Sequence, residues 1–271
     1  MVFLTLHVSV LTRNKYKRMK LAGIDIGSRS IELIVLEDGQ VVHCKQADSG
    51  YNPIERVKEL ISDVSFDKIM ATGYGRGIVE VAFDYPTVTE IKAYGAGATA
   101  LYPGVRSVLD IGGQDTKVIS INEMGKVVKF EMNDKCAAGT GKFLEMMATS
   151  LGYQAQTLGA AAQKGTEGIE INSMCAVFAE SEVTSLLAKG CDRNDIALAI
   201  HQSVCRRAIG MIRRQNISTP LMFAGGVANN TCMVQLLKEA LGEDIIIPEN
   251  PQFVGAHGAA ILASQYEPAP Y

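Results

Sequence analysis

Residues 23–42 read GIDIGSRSIELIVLEDGQVV, and residues 108–128 read VLDIGGQDTKVISINEMGKVV. At an offset of 85 positions Asp25 meets Asp110, Gly27 meets Gly112, Leu33 meets Val118 and Ile34 meets Ile119. One extra turn residue later, Gly39 meets Gly125 and Val41-Val42 meets Val127-Val128. Each copy reads as a strand ending in a tight glycine turn, a second strand, another turn and a third strand. Asp38-Gly39 is a hairpin signal, because a two-residue loop of this kind needs positive φ at both positions. The chain thus carries an internal duplication of a three-stranded meander. Two copies are too few for a solenoid, so the expected architecture is α/β with two related lobes and a cleft between them.

Outward from the first copy, Lys20 to Ile26 is the opening strand. Asn52-Pro53 signals a helix start, with Asn as cap and Pro in the first turn, followed by Ile54, Val57, Leu60 and Ile61 at helical spacing. Ile69 to Thr72 is a short strand running into a glycine-rich loop, 73–77, and 88–101 is a helix of small residues. Beyond the second copy the chain turns helical, with helices expected over 140–150, 155–163, 176–189, 193–215 and 229–241. Strands are expected at Leu221–Ala224 and Ile245–Ile247, and a last helix at 253–265. The boundaries that follow are 1–18 as an extension without ordered structure, 19–104 as the first lobe, 105–252 as the second, and 253–271 as a C-terminal helix packing back on the first lobe.

The two Asp-Ile-Gly turns carry chemistry. Successive backbone N–H groups at a glycine turn form a nest for anions. An Asp beside such a nest repels phosphate unless a cation intervenes, and Mg2+ bridges carboxylates and phosphate oxygens. Two facing copies form a clamp for a polyphosphate. A third element, Phe223-Ala224-Gly225-Gly226-Val227-Ala228-Asn229-Asn230, is a strand, a glycine pair and a helix start, a junction that brings backbone against a flat base.

The order DIGS (25–28), DIGGQD (110–115), FAGGVANN (223–230) resembles the phosphate-1, phosphate-2 and adenosine motifs of the sugar kinase, actin and heat-shock-70 superfamily. Within it, ATGYGR (71–76), MNDKCAAGTGKFLE (132–145) and CAVFAESEV (175–183) resemble the activators of 2-hydroxyacyl-CoA dehydratases and the related ATPase subunits of benzoyl-CoA reductases. The likeness runs from residue 19 to about 265. It implies an actin-like fold, ATP or ADP with Mg2+ in the cleft, and one [4Fe-4S] cluster shared by a homodimer through Cys136 and Cys175 of each chain. It implies ATP hydrolysis coupled to low-potential electron transfer, from a ferredoxin or flavodoxin to an iron–sulfur dehydratase or reductase component. On these matches Asp25 and Asp110 hold Mg2+, and Gln114 or Asp115 orients the attacking water. Gly27, Ser28, Arg29, Gly112 and Gly113 cradle the phosphates, and Gly225, Gly226 and Asn229 border the nucleoside. Both cysteines precede helix starts, which stabilise thiolate charge.

The first motif departs from the family pattern, with Arg29 where a Thr is usual and Glu32 where a Lys is usual; Arg29 is the residue that can restore the missing positive charge. Tyr94 stands near a usual His. The alternatives to an activator are a small-molecule kinase without a cluster, and a non-catalytic iron–sulfur carrier or ATP sensor.

Bulk properties agree with a globular protein. Of 271 residues, 47% are hydrophobic and 20% charged, and the net charge of −3 gives no ground for a nucleic-acid partner. No apolar run is long enough for a membrane helix. Six cysteines without C-x-x-C spacing read as free thiols in a reducing compartment, the cytoplasm. Cys44, Cys191, Cys205 and Cys232 read as packing residues, the four histidines as surface or core, and Arg206, Arg207, Arg213 and Arg214 as a solvated helix face. Glu180 and Glu182 read as acidic residues answering the dipole of the helix after Cys175.

Overall fold

The structure is a computed structural model and describes residues 19–166, 168–173 and 175–267. The extension expected over 1–18 lies outside the described residues.

The first half runs β1 (Lys20–Ile26), β2 (Ser30–Glu37), β3 (Gln40–Asp48), α1 (Pro53–Ile61), β4 (Lys68–Thr72), α2 (Arg76–Phe83) and α3 (Glu90–Leu101). The second runs β5 (Ser107–Ile111), β6 (Thr116–Ile121), β7 (Val127–Asn133), α4 (Gly141–Ser150), α5 (Ala155–Ala162), α6 (Ala176–Ala188), α7 (Arg193–Gln215), β8 (Leu221–Ala224) and α8 (Thr231–Leu241). The last helix is α9 (Val254–Ala263). The sheets have the orders β3-β2-β1-β4 and β7-β6-β5-β8. The duplicated unit is therefore four strands, not three. The fourth strand pairs parallel with the first, β4 on β1 and β8 on β5, and reaches it by a different connection in each half, so no fixed offset displays it.

Asp38 and Gly39 have φ of 52° and 78°, as the hairpin reading requires. Asn52 caps α1 by accepting from Glu55 N, and Pro53 opens it. Two expectations fail. Ile245–Ile247 is not a strand. Only Ile246 pairs, through Phe223 N donating to its oxygen and its N donating to Leu221 O, and Pro248 has no N–H with which to continue. Residues 76–83, expected to begin as a glycine loop, form α2, in which Val79 is fully buried against the first sheet and stands in for the missing propensity of Gly77.

Both sheets are covered on both faces. On β2, Ile31, Leu33 and Val35 face α1 and α2, while Ile34 and Leu36 face Ala256 and Ala260 of α9. In the second sheet, Leu109 and Val118 join the large core under α4–α8, and Val108 and Ile119 pack on Tyr94 and Ala98 of α3. The layers thus run helices, first sheet, α9 with α3, second sheet, helices. At the centre α3 and α9 touch backbone to backbone. A Cβ on Gly97 would lie 2.1 Å from Val254 O, and one on Gly258 only 1.7 Å from Ala93 O. Among the described residues no helix is long and apolar enough to cross a membrane.

Candidate functional site

The duplication places the two Asp residues at equivalent points. Asp25 stands opposite Glu32 on β2 and Thr72 on β4; Asp110 stands opposite Lys117 on β6 and Ala224 on β8. Each turn closes the same way, Gly27 N donating to Ser30 O and Gly112 N to Asp115 O, both at 3.0 Å. Behind each Asp is a glycine of positive φ at the end of the fourth strand, Gly73 at 95° and Gly225 at 83°. A Cβ on either would come within 2.4 Å of the Oδ1 of its Asp. The turns also meet each other: a Cβ on Gly113 would lie 2.9 Å from Arg29 Cβ and 3.1 Å from Ser28 Oγ.

Between the halves lies a cleft of about 970 Å3, and every residue assigned from the sequence to Mg2+, phosphate, water or nucleoside lines it. Gly27, Ser28 and Arg29 face Gly112, Gly113, Gln114 and Asp115 across it, with Asp25 and Asp110 among its walls. Gly225, Gly226 and Asn229 line another part. There β8 leads through Gly225 and a short 3-10 turn, Gly226–Asn229, into α8, whose cap is Asn230. Arg29 lines the cleft, but its guanidinium is engaged, with Nε donating to Glu145 Oε1 of α4 at 2.8 Å and Nη1 pairing with Asp48 Oδ1 at 3.0 Å. It joins the first turn to a helix of the second half.

The residue that sequence reasoning missed is Lys117. Its Nζ is 2.7 Å from Asp115 Oδ2 and 3.0 Å from both Asp110 Oδ2 and Glu90 Oε2, with the side chain 4% exposed. Burial opposes its charge, but Asp110, Asp115 and Glu90 outweigh burial and raise its pKa. The duplication held the signal, since Lys117 overlies Glu32 and supplies in the second copy the ammonium missing from the first. Tyr94, at the position of the usual His, lies with its ring centroid 5.6 Å from Lys117 Nζ.

His201, read as surface or core, bears on the cleft through Asn230. Its Nδ1 lies 2.7 Å from Ala197 O, and its Nε2 lies 2.9 Å from Asn230 Nδ2. A neutral ring protonated on Nδ1 satisfies both contacts, accepting from the amide and leaving Asn230 Oδ1 to cap α8 at Met233 N.

The residues suit a divalent cation. Burial first, then Glu32 and Glu90, push the Asp25 carboxyl well above the usual range, and burial likewise raises Asp110. Asp110 Oδ1 is buried and accepts no hydrogen bond. A buried Asp25 carboxylate and a free Asp110 Oδ1 on the wall of a phosphate-sized cleft fit Mg2+.

Cys136 and Cys175 lie outside the cleft lining, and both are exposed. Cys175 caps α6. The loop of Cys136 is tied to the second glycine turn, because Gly141 N donates to Gly112 O at 2.9 Å and Lys142 N to Gly113 O at 2.8 Å. Helix α7 also holds the segment before Cys175; Arg206, Arg213 and Arg214 are exposed, as the solvated-face reading has it, and Arg207 is the half-buried exception. Arg206 Nη2 donates to Ile171 O at 2.9 Å and Arg207 Nη2 to Ser173 O at 3.0 Å. Arg207 lies over the Phe143 ring, its Cδ would be 3.2 Å from a Cβ on Gly139, and its charge interacts with Cys136. Arg214 pairs with Glu131. Glu182 is no first-turn residue; it accepts from Asn172 N, Ser173 N and Ser173 Oγ. Among the described residues no group of three or more His, Cys, Asp or Glu gathers around a metal position. Cys44, read as a packing residue, is exposed on β3 instead, while Cys205 and Cys232 are buried as expected. The two thiols of Cys136 and Cys175 fit a four-thiolate cluster only where two chains meet.

The model of the BadF/BadG/BcrA/BcrD ATPase family matches residues 22–263. This chain belongs to that family. The (R)-2-hydroxyglutaryl-CoA dehydratase activating ATPase of Acidaminococcus fermentans is 40% identical over 250 residues, 89% of this chain and 95% of that protein. The structure of the activator of 2-hydroxyisocaproyl-CoA dehydratase from Clostridium difficile, with bound ADPNP, is 32% identical with a TM-score of 0.84, covering 93% of this chain and 100% of that one. A ROK family glucokinase from Streptomyces griseus shares the fold alone, with a TM-score of 0.58 at 12% identity over 91% of this chain and 100% of that chain. The family's fold is thus the two-lobed actin-like one that the duplication pointed to.

Proposed function

We propose that this member of the family is an ATP-hydrolysing activator that drives a low-potential electron from a ferredoxin or flavodoxin to a 2-hydroxyacyl-CoA dehydratase-like or benzoyl-CoA reductase-like partner. Asp25 and Asp110 hold Mg2+, directly or through water. Gly27, Ser28, Gly112 and Gly113 cradle the phosphates, and Gln114 or Asp115 orients the attacking water, a positioning role of the kind that dominates phosphoryl transfer. Bound Mg2+ would neutralise charge on the β- and γ-phosphates. A [4Fe-4S] cluster held by Cys136 and Cys175 of two chains would supply one-electron transfer.

The observation that carries the coupling is the short path from turn to cysteine. Gly112 and Gly113 accept from the first residues of α4, and the loop that enters α4 bears Cys136. Arg207 donates to Ser173 O before Cys175, and its stem lies close to Gly139 of that loop. A shift of the phosphate turn would therefore reach Cys136 directly and Cys175 by way of Arg207. The first half, 19–104, and the second, 105–252, would change angle on nucleotide exchange, with the helix in 253–271 riding on the first.

Anaerobic purification followed by iron and sulfide analysis tests the cluster. About four irons per dimer are expected, lost in Cys136→Ser. A colourless monomer with full ATPase activity removes the cluster from the reading. ATP-dependent reduction of a co-purifying partner distinguishes an activator from a carrier.

A further inference from the structure

The two halves of the cleft are alike in backbone and differ in charge at one register position. In the second, Asp110 faces Lys117 across β5 and β6, an ammonium that also meets Asp115 and Glu90. In the first, the same register position puts Asp25 opposite Glu32. Residues directly opposite on antiparallel strands share a face, with Cβ atoms about 5 Å apart, and like charges there repel. Asp25 is 6% and Glu32 4% exposed, and both line the cleft. Glu32 Oε1 accepts from Ser30 Oγ and Gln46 Nε2. Among the described residues nothing donates a hydrogen bond to the Asp25 carboxylate, and no Lys or Arg pairs with either acid. Lys117 is taken up by Asp110, Asp115 and Glu90, and Arg29 by Glu145 and Asp48.

We propose that Asp25 and Glu32 form a divalent-cation site in the first half of the cleft that fills before nucleotide arrives. The cation does for that half what the Lys117 ammonium does for the other. This deepens the reading of the cleft as an ATP site, adding Glu32 as a ligand and a cation that is not carried in by the nucleotide. Two carboxylates and otherwise water suit Mg2+ or Mn2+, which keep several waters, and suit poorly the oxygen-rich cages of Ca2+. The unpartnered Asp25 carboxylate, buried yet on the cleft wall, is the group the cation satisfies. The site also explains how a chain with Glu32 in place of a lysine presents a surface that a polyphosphate tolerates.

The test uses the full chain stripped with a chelator and titrated with Mn2+, followed by electron paramagnetic resonance, without nucleotide. The wild type binds one Mn2+ per chain, displaced by Mg2+. Glu32→Gln, close in shape, weakens binding at least about tenfold, since even outer-shell partners are worth about 10–100-fold in metal affinity. Glu32→Lys abolishes it, and its ADPNP binding then needs no more Mg2+ than saturates the nucleotide. The proposal is overturned if the wild type binds no Mn2+ in the absence of nucleotide, or binds it no better than Glu32→Gln. Thermal unfolding of both variants establishes that they are folded, and Glu32→Gln alone decides the matter if Glu32→Lys is not. Calorimetry with ADPNP and excess Mg2+ runs separately. A chain that holds Mn2+ but not ADPNP loses the ATP reading and keeps the cation site.

Discussion

Lys117 touches three carboxylates at 2.7–3.0 Å while almost wholly buried, so its removal leaves buried charge uncompensated. Lys117→Met is expected to cost about 3–5 kcal/mol in urea unfolding, the range for breaking a buried ion pair from one side. A cost below about 1 kcal/mol would mean that the acids take up protons instead. His201 gives a pH dependence. Burial lowers its pKa below 6.5, with the Ala197 carbonyl opposing. The unfolded chain binds that proton at higher pH than the folded one, so the stability present above 6.5 is lost as pH falls through the folded value. Unfolding free energy measured at a series of pH values below neutrality should fall less steeply in His201→Gln. Of these residues, the cleft acids and glycines were legible because they belong to turns whose backbone demands are local. Lys117 and His201 were not, since a lysine on a strand and a histidine on a helix acquire their partners only through tertiary packing.

At the scale of elements, α7 braces the segment before Cys175 through Arg206 and Arg207. Arg207→Met removes the guanidinium and with it the bond to Ser173 O. Faster amide hydrogen exchange is expected in 171–173, with β1 and β5 unchanged; equal exchange in both proteins would assign the bracing elsewhere. The strands from Lys20 to Ile26 and Leu221 to Ala224 could be read to the residue, because an apolar run ending at a glycine turn leaves little latitude. Helix α2 could not, because its glycine-rich start reads as a loop and only Val79 reveals a buried face. The parallel pairing of β4 with β1, and of β8 with β5, joins residues tens to more than a hundred positions apart, and no local pattern records such a partnership.

For the whole molecule, the cleft wall is shared by both sheets, so a nucleotide spanning it should stabilise both together. ADPNP with Mg2+ at about 100 times its Kd is expected to add about 2.7 kcal/mol to unfolding. The added hydrogen-exchange protection should appear in β1 and β5 alike; protection confined to one sheet would place the ligand elsewhere. What joins the halves at the centre is the contact of α3 with α9 at Gly97 and Gly258. Most helix pairs interlock, ridges of side chains in grooves, and so prefer a few fixed crossing angles. Here the crossing point has no ridge. Two backbones bear directly on one another there, and beside them Tyr94 of α3 and Val254 of α9 share one buried cluster. The centre of this protein is a plain bearing, and the stops that set its angle lie at the rim, where Arg29 reaches Glu145 and the two glycine turns meet.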